Sequence, residues 1–449
     1  MKRCLVIASL LAIGASSAPA FAGGMFLPWR GVRDTSRGGA TVGGAEDADA
    51  IWLNPAGIAH ASEKTLAITT MYVDQQIDYA RIDSGGNQLD SISNEHPGQP
   101  IPAIAFVAPI GDGRLVIGGG TWTPYAGLHR YRIDGAQRYG SISIAETKIA
   151  YLTFAAAYRI TDKLRIGATV QNMFTELDSR VILSGCPGKT VCAPEDPEFD
   201  SDVQVKQIDP VSPSGSIGLQ YDAHPMVTIG VMAQAPAKIS GTGELHARLP
   251  SSGFYEGAML VGDEASVEMT MPGSLHAGVE VRPRPGLRVE AALHVELWSI
   301  HDKITFAPKD MRIENVAGVG TYELGPSVIP RNYRNSYAPA IGGEYTIGAL
   351  TVGAGYSYET AAAPKGYVSP LTVDAAKHLF GLGGAFRHHS WTAGAALGIA
   401  RLADTNVTLA EAKVPQLTPV RGQPGEVMIN AGQYRSTYLL AGLRFQIGF

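Results

Sequence analysis

Hydrophobic and polar positions alternate with period two along most of this chain. In the clearest stretch Leu275, Ala277, Val279 and Val281 alternate with His276, Gly278, Glu280 and Arg282. After Pro283-Arg284-Pro285-Gly286, residues Leu287, Val289, Ala291, Leu293 and Val295 alternate with Arg288, Glu290, Ala292, His294 and Glu296. This is an antiparallel hairpin with one apolar and one ionisable face. The last stretch behaves the same way: Leu439, Ala441, Leu443, Phe445, Ile447 and Phe449 share one face.

Five more short turns join similar runs, at 111–114, 161–163, 222–225, 347–349 and 387–390. Seven longer polar stretches separate the hairpins, near 74–100, 124–143, 177–205, 235–268, 299–335, 360–375 and 402–432. Short and long connections alternate strictly. They predict 14 antiparallel strands of about ten residues, with both ends on the short-turn side. Short periplasmic turns, long extracellular loops and an even strand count are the plan of an outer-membrane β-barrel. A closed barrel is also the sheet that leaves no backbone unpaired in lipid. A two-domain secreted β protein would not alternate long and short connections.

Composition narrows the choice. The 449 residues are 45% hydrophobic but only 17% charged, against about 25% charged in soluble domains. No run of about 20 apolar residues follows residue 22, which excludes a polytopic helical protein. A formal charge of −5 without a Lys/Arg cluster excludes a basic nucleic-acid binder. Residues 1–22 read as a cleaved signal peptide: Lys2-Arg3, the apolar run Leu5–Ile13, then Ala20-Phe21-Ala22. Export places Cys186 and Cys192 in an oxidising compartment, and their turn-rich surroundings suit a loop-closing disulfide. Too few Cys and His lie near them for a metal site. There are 11 His but no nucleophile elbow, and His388-His389 falls in a short turn, so the chain reads as a non-enzyme. It shows no nucleotide-binding motif and calls for no cofactor.

Between residue 22 and the first strand pattern, Thr65–Val73, lies a segment of different character. Small residues dominate Arg37-Gly38-Gly39-Ala40 and Gly43-Gly44-Ala45, and Asp47-Ala48-Asp49-Ala50-Ile51-Trp52-Leu53-Asn54-Pro55-Ala56-Gly57 follows. Asn54 before a proline is held extended, and Gly57 is free to take positive φ.

With the Gly23-Gly24 start, the terminal Phe449 and the zone Tyr333–Tyr356, these features resemble the FadL-type outer-membrane transporters of long-chain fatty acids and other hydrophobic compounds. The resemblance implies an all-β, 14-stranded transmembrane barrel (63–449) plugged by an N-terminal hatch (23–62). Asn54, Pro55, Ala56 and Gly57 would form the hatch motif. It implies a monomer in the outer membrane of a Gram-negative bacterium, passing ligand from an extracellular groove to a deeper site. Exit would be sideways into membrane lipid at a kinked third strand. The expected third strand, Arg114–Trp122, carries Gly118, Gly119 and Gly120, the candidate lateral gate, since glycines weaken a strand.

Trp122, Tyr125, Leu128, Phe254, Tyr255, Met259 and Leu260 are candidates for the entry groove. Arg288 is a candidate partner for a ligand carboxylate, against the plainer reading that the ionisable lumen face pairs across strands and with the hatch. Fatty acids are the first expected cargo, aromatic hydrocarbons the second. A surface adhesin without transport is the alternative from another class.

Overall fold

The structure is a computed structural model and describes residues 29–188, 190–193, 195–421 and 427–449. The expected signal peptide and the Gly23-Gly24 start lie outside the described residues.

Fourteen antiparallel strands close into one barrel. In chain order they are β1 (Thr65–Arg81), β2 (Gln99–Ile110), β3 (Leu115–Trp122), β4 (Lys148–Arg159), β5 (Leu164–Ser184), β6 (Asp200–His224), β7 (Val227–Gln234), β8 (Ser274–Arg284), β9 (Leu287–Glu296), β10 (Ser336–Ile347), β11 (Leu350–Glu359), β12 (Lys377–His388), β13 (Trp391–Leu402) and β14 (Gly432–Gly448). Each pairs with its chain neighbours, and β14 closes the barrel on β1 from Thr65↔Gly448 to Arg81↔Gly432. Short turns and long connections alternate in the expected order, but β1 runs on to Arg81 into the stretch read as 74–100, and β5 and β6 run into the stretch read as 177–205.

The strands differ in length from the expected ten residues. β5 has 21 and β6 has 25, whereas β3 and β7 have eight. At about 3.4 Å per residue, β6 far exceeds a hydrocarbon core of about 30 Å. Its first half rises above the membrane and pairs with the loop strand Thr242–Arg248. With the short strands Glu264–Met271, Lys303–Pro308 and Ser327–Pro330, it builds an extracellular crown. Length here reports on the crown, which the polar 177–205 stretch conceals in the sequence.

Outward positions are apolar and exposed to the surroundings, such as Phe154, Val170, Leu397 and Leu443. Inward positions are buried whether apolar or charged: Glu280 and Glu290 are both fully buried. A side chain facing the lumen here is not facing water. Residues 29–62 fill the space.

Candidate functional site

The N-terminal segment threads the lumen as two short helices, α1 (Val32–Ser36) and α2 (Ala50–Leu53), and a 3-10 turn, Pro55–His60. Asn54 joins the last two in an extended conformation. Its side-chain oxygen accepts from the Ala56 N–H at 3.2 Å, capping the turn, with Pro55 at the position where a missing N–H is harmless. Its amide nitrogen donates to the carbonyl of Val42 at 3.1 Å and to that of Leu219 on β6 at 3.2 Å. One buried side chain therefore ties the motif to itself, to the rest of the segment and to the barrel wall.

Close contact needs a wall without side chains at the contact points. A Cβ at Gly218 would lie 2.1 Å from the Asn54 oxygen, and one at Gly167 2.4 Å from the Pro55 carbonyl carbon. At Gly342, Gly355 and Gly381 it would lie about 2 Å from backbone atoms of Arg37 or Thr35. The high glycine content thus has a specific use: strand glycines on the lumen side seat the hatch backbone. The signal was in the sequence, as glycines in phase with inward polar residues.

Charge fixes what shape seats. Arg37, fully buried, donates to Glu280 at 2.9 Å and Glu290 at 3.1 Å and lies 3.7 Å from Glu344. Glu290 also accepts from the backbone N–H groups of Val42, Gly43 and Gly44 at 2.7–2.9 Å. Arg33 donates to Glu344 at 2.7 Å, and Arg444 on β14 holds Asp49 at 2.9 Å and Asp47 at 3.2 Å. Burial pushes the Glu46 carboxyl up, but Arg33 and Arg288 beside it more than offset this and hold it well below the usual range. The belt lies at the periplasmic mouth, around a vestibule of about 540 Å³ bordered by Gly348 in the β10–β11 turn and Arg387 near the end of β12.

Arg288 belongs to this belt. It pairs with Glu46 and, at 2.8 Å, with Glu280, far along the barrel from the crown. Its expected role toward a ligand carboxylate therefore gives way to the plainer reading, contact with the hatch, because its charge is already matched.

Above the hatch the lumen turns aromatic. Trp52 of α2 stacks on Trp122, with ring centroids 6.2 Å apart, and Trp122 on Tyr151 at 5.3 Å. Tyr125 meets Trp298 edge-on at 6.3 Å, and Trp298 meets Tyr333 at 5.8 Å. The candidate groove residues do not form one site. Trp122 and Tyr125 stand in this column, and Leu128 packs in a separate lumen cluster with Ile101 and Leu440. Phe254 and Tyr255 pack in the crown against Phe199 and the Cys186–Cys192 disulfide. Tyr255 and Leu260 line an apolar crown cleft with Leu183, Phe306 and Leu324, which leaves only about 40 Å³ free. Met259 is exposed on a crown ribbon. Leu260, Phe306 and Leu324 also pack against the lumen cluster containing Trp298 and Tyr125, so cleft and column are continuous.

Arg331, at the head of the column, was not singled out from the sequence. It is buried, and its guanidinium lies over the Tyr333 ring at 4.5 Å. Its hydrogen-bond acceptors are neutral, the hydroxyls of Tyr333 and Thr372. Other fully buried cations have carboxylates: Arg37 as above, Arg81 with Glu195 and Lys377 with Glu359. Among the described residues, two of the Arg331 nitrogens and the indole N–H of Trp298 are buried without acceptors; two Arg37 nitrogens are as well, so Arg331 is set apart by its unmatched charge. A lone loop arginine gives no sequence signal of this.

The third strand also departs from expectation. Gly118, Gly119 and Gly120 pair in unbroken register with β2 and β4, so no bulge interrupts the ladder there. The wall is interrupted one step higher. β3 stops at Trp122, and its last pair with β2 is Ile104↔Thr121. Residues Gln99–Ala103 pair with β1 alone. Pro100 and Pro102 remove two donors from this stretch, which suits an edge and not a central strand.

Residues 12–438 match the family model described as "Outer membrane protein transport protein (OMPP1/FadL/TodX)". A Pseudomonas aeruginosa FadL homologue superimposes with a TM-score of 0.77 at 18% identity, over 95% of this chain and 100% of that one. The P. putida toluene transporter TodX gives 0.64 at 16%, over 92% and 99%. The Ralstonia pickettii toluene transporter TbuX gives 0.62 at 17%, over 94% and 99%. At these identities the likeness shows the fold. No curated protein matches the sequence.

Proposed function

Because this chain belongs to the OMPP1/FadL/TodX family of outer-membrane transport proteins, we propose that it admits long-chain fatty acids by passive, gated diffusion. It is an outer-membrane channel for hydrophobic compounds and not an enzyme; the family sets aside a surface adhesin. The proposal concerns the cargo and its path.

The observation that carries the fatty-acid reading is Arg331. A buried cation without a counter-charge is costly, and a ligand carboxylate at the head of the column would relieve that cost with charge-assisted hydrogen bonds. Trp298 would donate beside it. The alkyl chain would lie along Tyr125, Trp122 and Tyr151. Entry is through the crown cleft, whose nearly closed state requires the loops to part first.

Residues 29–62 act as the plug, and Asn54, Pro55, Ala56 and Gly57 hold it to β5 and β6. Exit is sideways beside Trp122, at the unpaired edge marked by Pro100 and Pro102. Leaving into lipid keeps the chain out of water, where each CH₂ would cost about 0.8 kcal/mol. The channel works as a monomer.

Aromatic hydrocarbons are the second reading, favoured by one observation: the side chains lining the crown cleft carry no charge. Uptake of labelled long-chain fatty acid and of toluene by a transporter-deficient bacterial host, with wild type and Arg331→Gln, separates the two. Fatty-acid uptake that falls in the variant, with toluene unchanged, supports the proposal. Toluene uptake alone, insensitive to Arg331, replaces the cargo.

A further inference from the structure

On the far side of the wall from Asn54-Pro55-Ala56, the lipid-facing surface is hollow. Outward rows of β3 to β9 enclose a groove of about 820 Å³. Small outward residues, Ala156, Ala168, Ala233 and Ala277, lie between larger ones such as Leu115, Ile217, Leu275, Leu293 and Val295. Its cause lies inside. Gly167 and Gly218 bring the strand backbone against the hatch motif, and the same two residues border the groove. One layer of backbone separates Pro55 from the groove. Crossing seven strands at about 4.8 Å spacing, the groove is roughly 29 Å long.

We propose that this groove is a binding site for an acyl chain of an outer-membrane phospholipid, retained as a resident lipid. Three features select that occupant. The groove is continuous with the wall that faces hydrocarbon. The outward side chains lining it carry no charge, so it grips a chain and not a headgroup. A second copy of the protein related by two-fold symmetry would present the same hollow and leave a void between the two. Between lipid and protein there is no water to expel, so retention rests on dispersion contacts that an unfilled groove would forfeit.

Native mass spectrometry of the protein extracted from outer membranes tests this. Wild type should carry one phospholipid mass per monomer after detergent removal. Ala168→Trp and Ala277→Trp, which fill the groove, should lose it at least tenfold, while Leu443→Trp on another part of the lipid face keeps it. Heat-modifiable gel mobility reports whether each variant folds. As a measurement free of mutation, a photoactivatable diacyl lipid should crosslink wild type within β5–β8. Absence of retained lipid, a bound free fatty acid in its place, equal retention in the Trp variants, a dimer sealed at this face, or crosslinks spread evenly around the barrel would each overturn the proposal.

Discussion

Arg37 and Arg331 are both buried arginines within one barrel, and their surroundings divide the molecule. Around Arg37, at the periplasmic half, three carboxylates lie within 4 Å and wall glycines admit the hatch backbone. Around Arg331, at the extracellular half, the partners are hydroxyls and aromatic rings. The first arrangement has its charge matched within the protein, although two Arg37 nitrogens make no hydrogen bond among the described residues. The second has a charge left to match. A channel that must stay plugged yet take up cargo needs both: a seal whose charges are matched and a receptor whose charge is not.

The largest expected effect attacks the seal. Arg37→Ala leaves Glu290 buried without its cation, while Glu280 keeps Arg282 and Arg288; breaking a buried pair costs about 3–5 kcal/mol. The barrel ladder does not depend on Arg37, so the loss should fall on the hatch. Planar-bilayer recordings should show steady ion conductance where wild type is closed. A silent variant with unchanged denaturant midpoint would mean that shape alone seats the hatch.

Shape is tested next. Gly342→Val places a Cβ 1.9 Å from the Arg37 carbonyl oxygen, and overpacking of this kind costs about 1–3 kcal/mol. The expected result is again conductance, smaller than for Arg37→Ala, with a barrel that still shows heat-modifiable mobility. Gly348→Val, at a turn where an added Cβ meets nothing within 4 Å, has positive φ; its local strain should leave the seal intact.

The receptor half predicts a different signature. Arg331→Gln removes a charge without orphaning a carboxylate, so stability should change little. Half-saturation for fatty-acid uptake should rise about tenfold, equal to about 1.4 kcal/mol of lost head-group interaction. Conductance should stay closed. Were Arg331→Gln to open the channel, the two arginines would be doing the same job and the division would fail.

How much of this was legible without coordinates follows the same division. Strand alternation records which side faces lipid, because lipid accepts only apolar side chains; hence β8 and β9 could be read residue by residue. The hatch motif was legible because Asn54-Pro55 fixes backbone locally. The ionisable lumen face was legible as a face but not as a partnership. Nothing in the spacing of Arg288 says whether a hatch carboxylate or a ligand lies opposite. Arg331 sits in a loop without period, and its meaning lies in the absence of a counter-charge among the described residues, which only the fold can show. The wall offered two local signals, three glycines and two prolines. Glycine permits a break while proline enforces one by withholding a donor, and the unpaired stretch is at the prolines.

The smallest effect is confined to acid. Glu46, on the hatch, has its carboxyl held down by Arg33 and Arg288 against the upward push of burial. Its contribution is present above the ordinary glutamate range, about 4.3, and is lost as pH falls through its lowered value. Asp374, in the loop before β12, goes the other way: burial pushes it up to about 8 despite Lys377 and two backbone amides. Its contribution is full below an aspartate's ordinary value, about 3.9, and falls away as pH rises towards 8. Acidification should therefore loosen the hatch while leaving the crown as firm as before or firmer. Lowering the pH of the periplasmic chamber from 7 to 3 should raise leak conductance slightly in wild type, and Glu46→Gln should show a small leak at pH 7 with less change on acidification. Limited proteolysis of the extracellular loops should not increase over the same range. Loops that opened before the hatch leaked would mean that the crown, and not the belt, depends on ionised carboxylates.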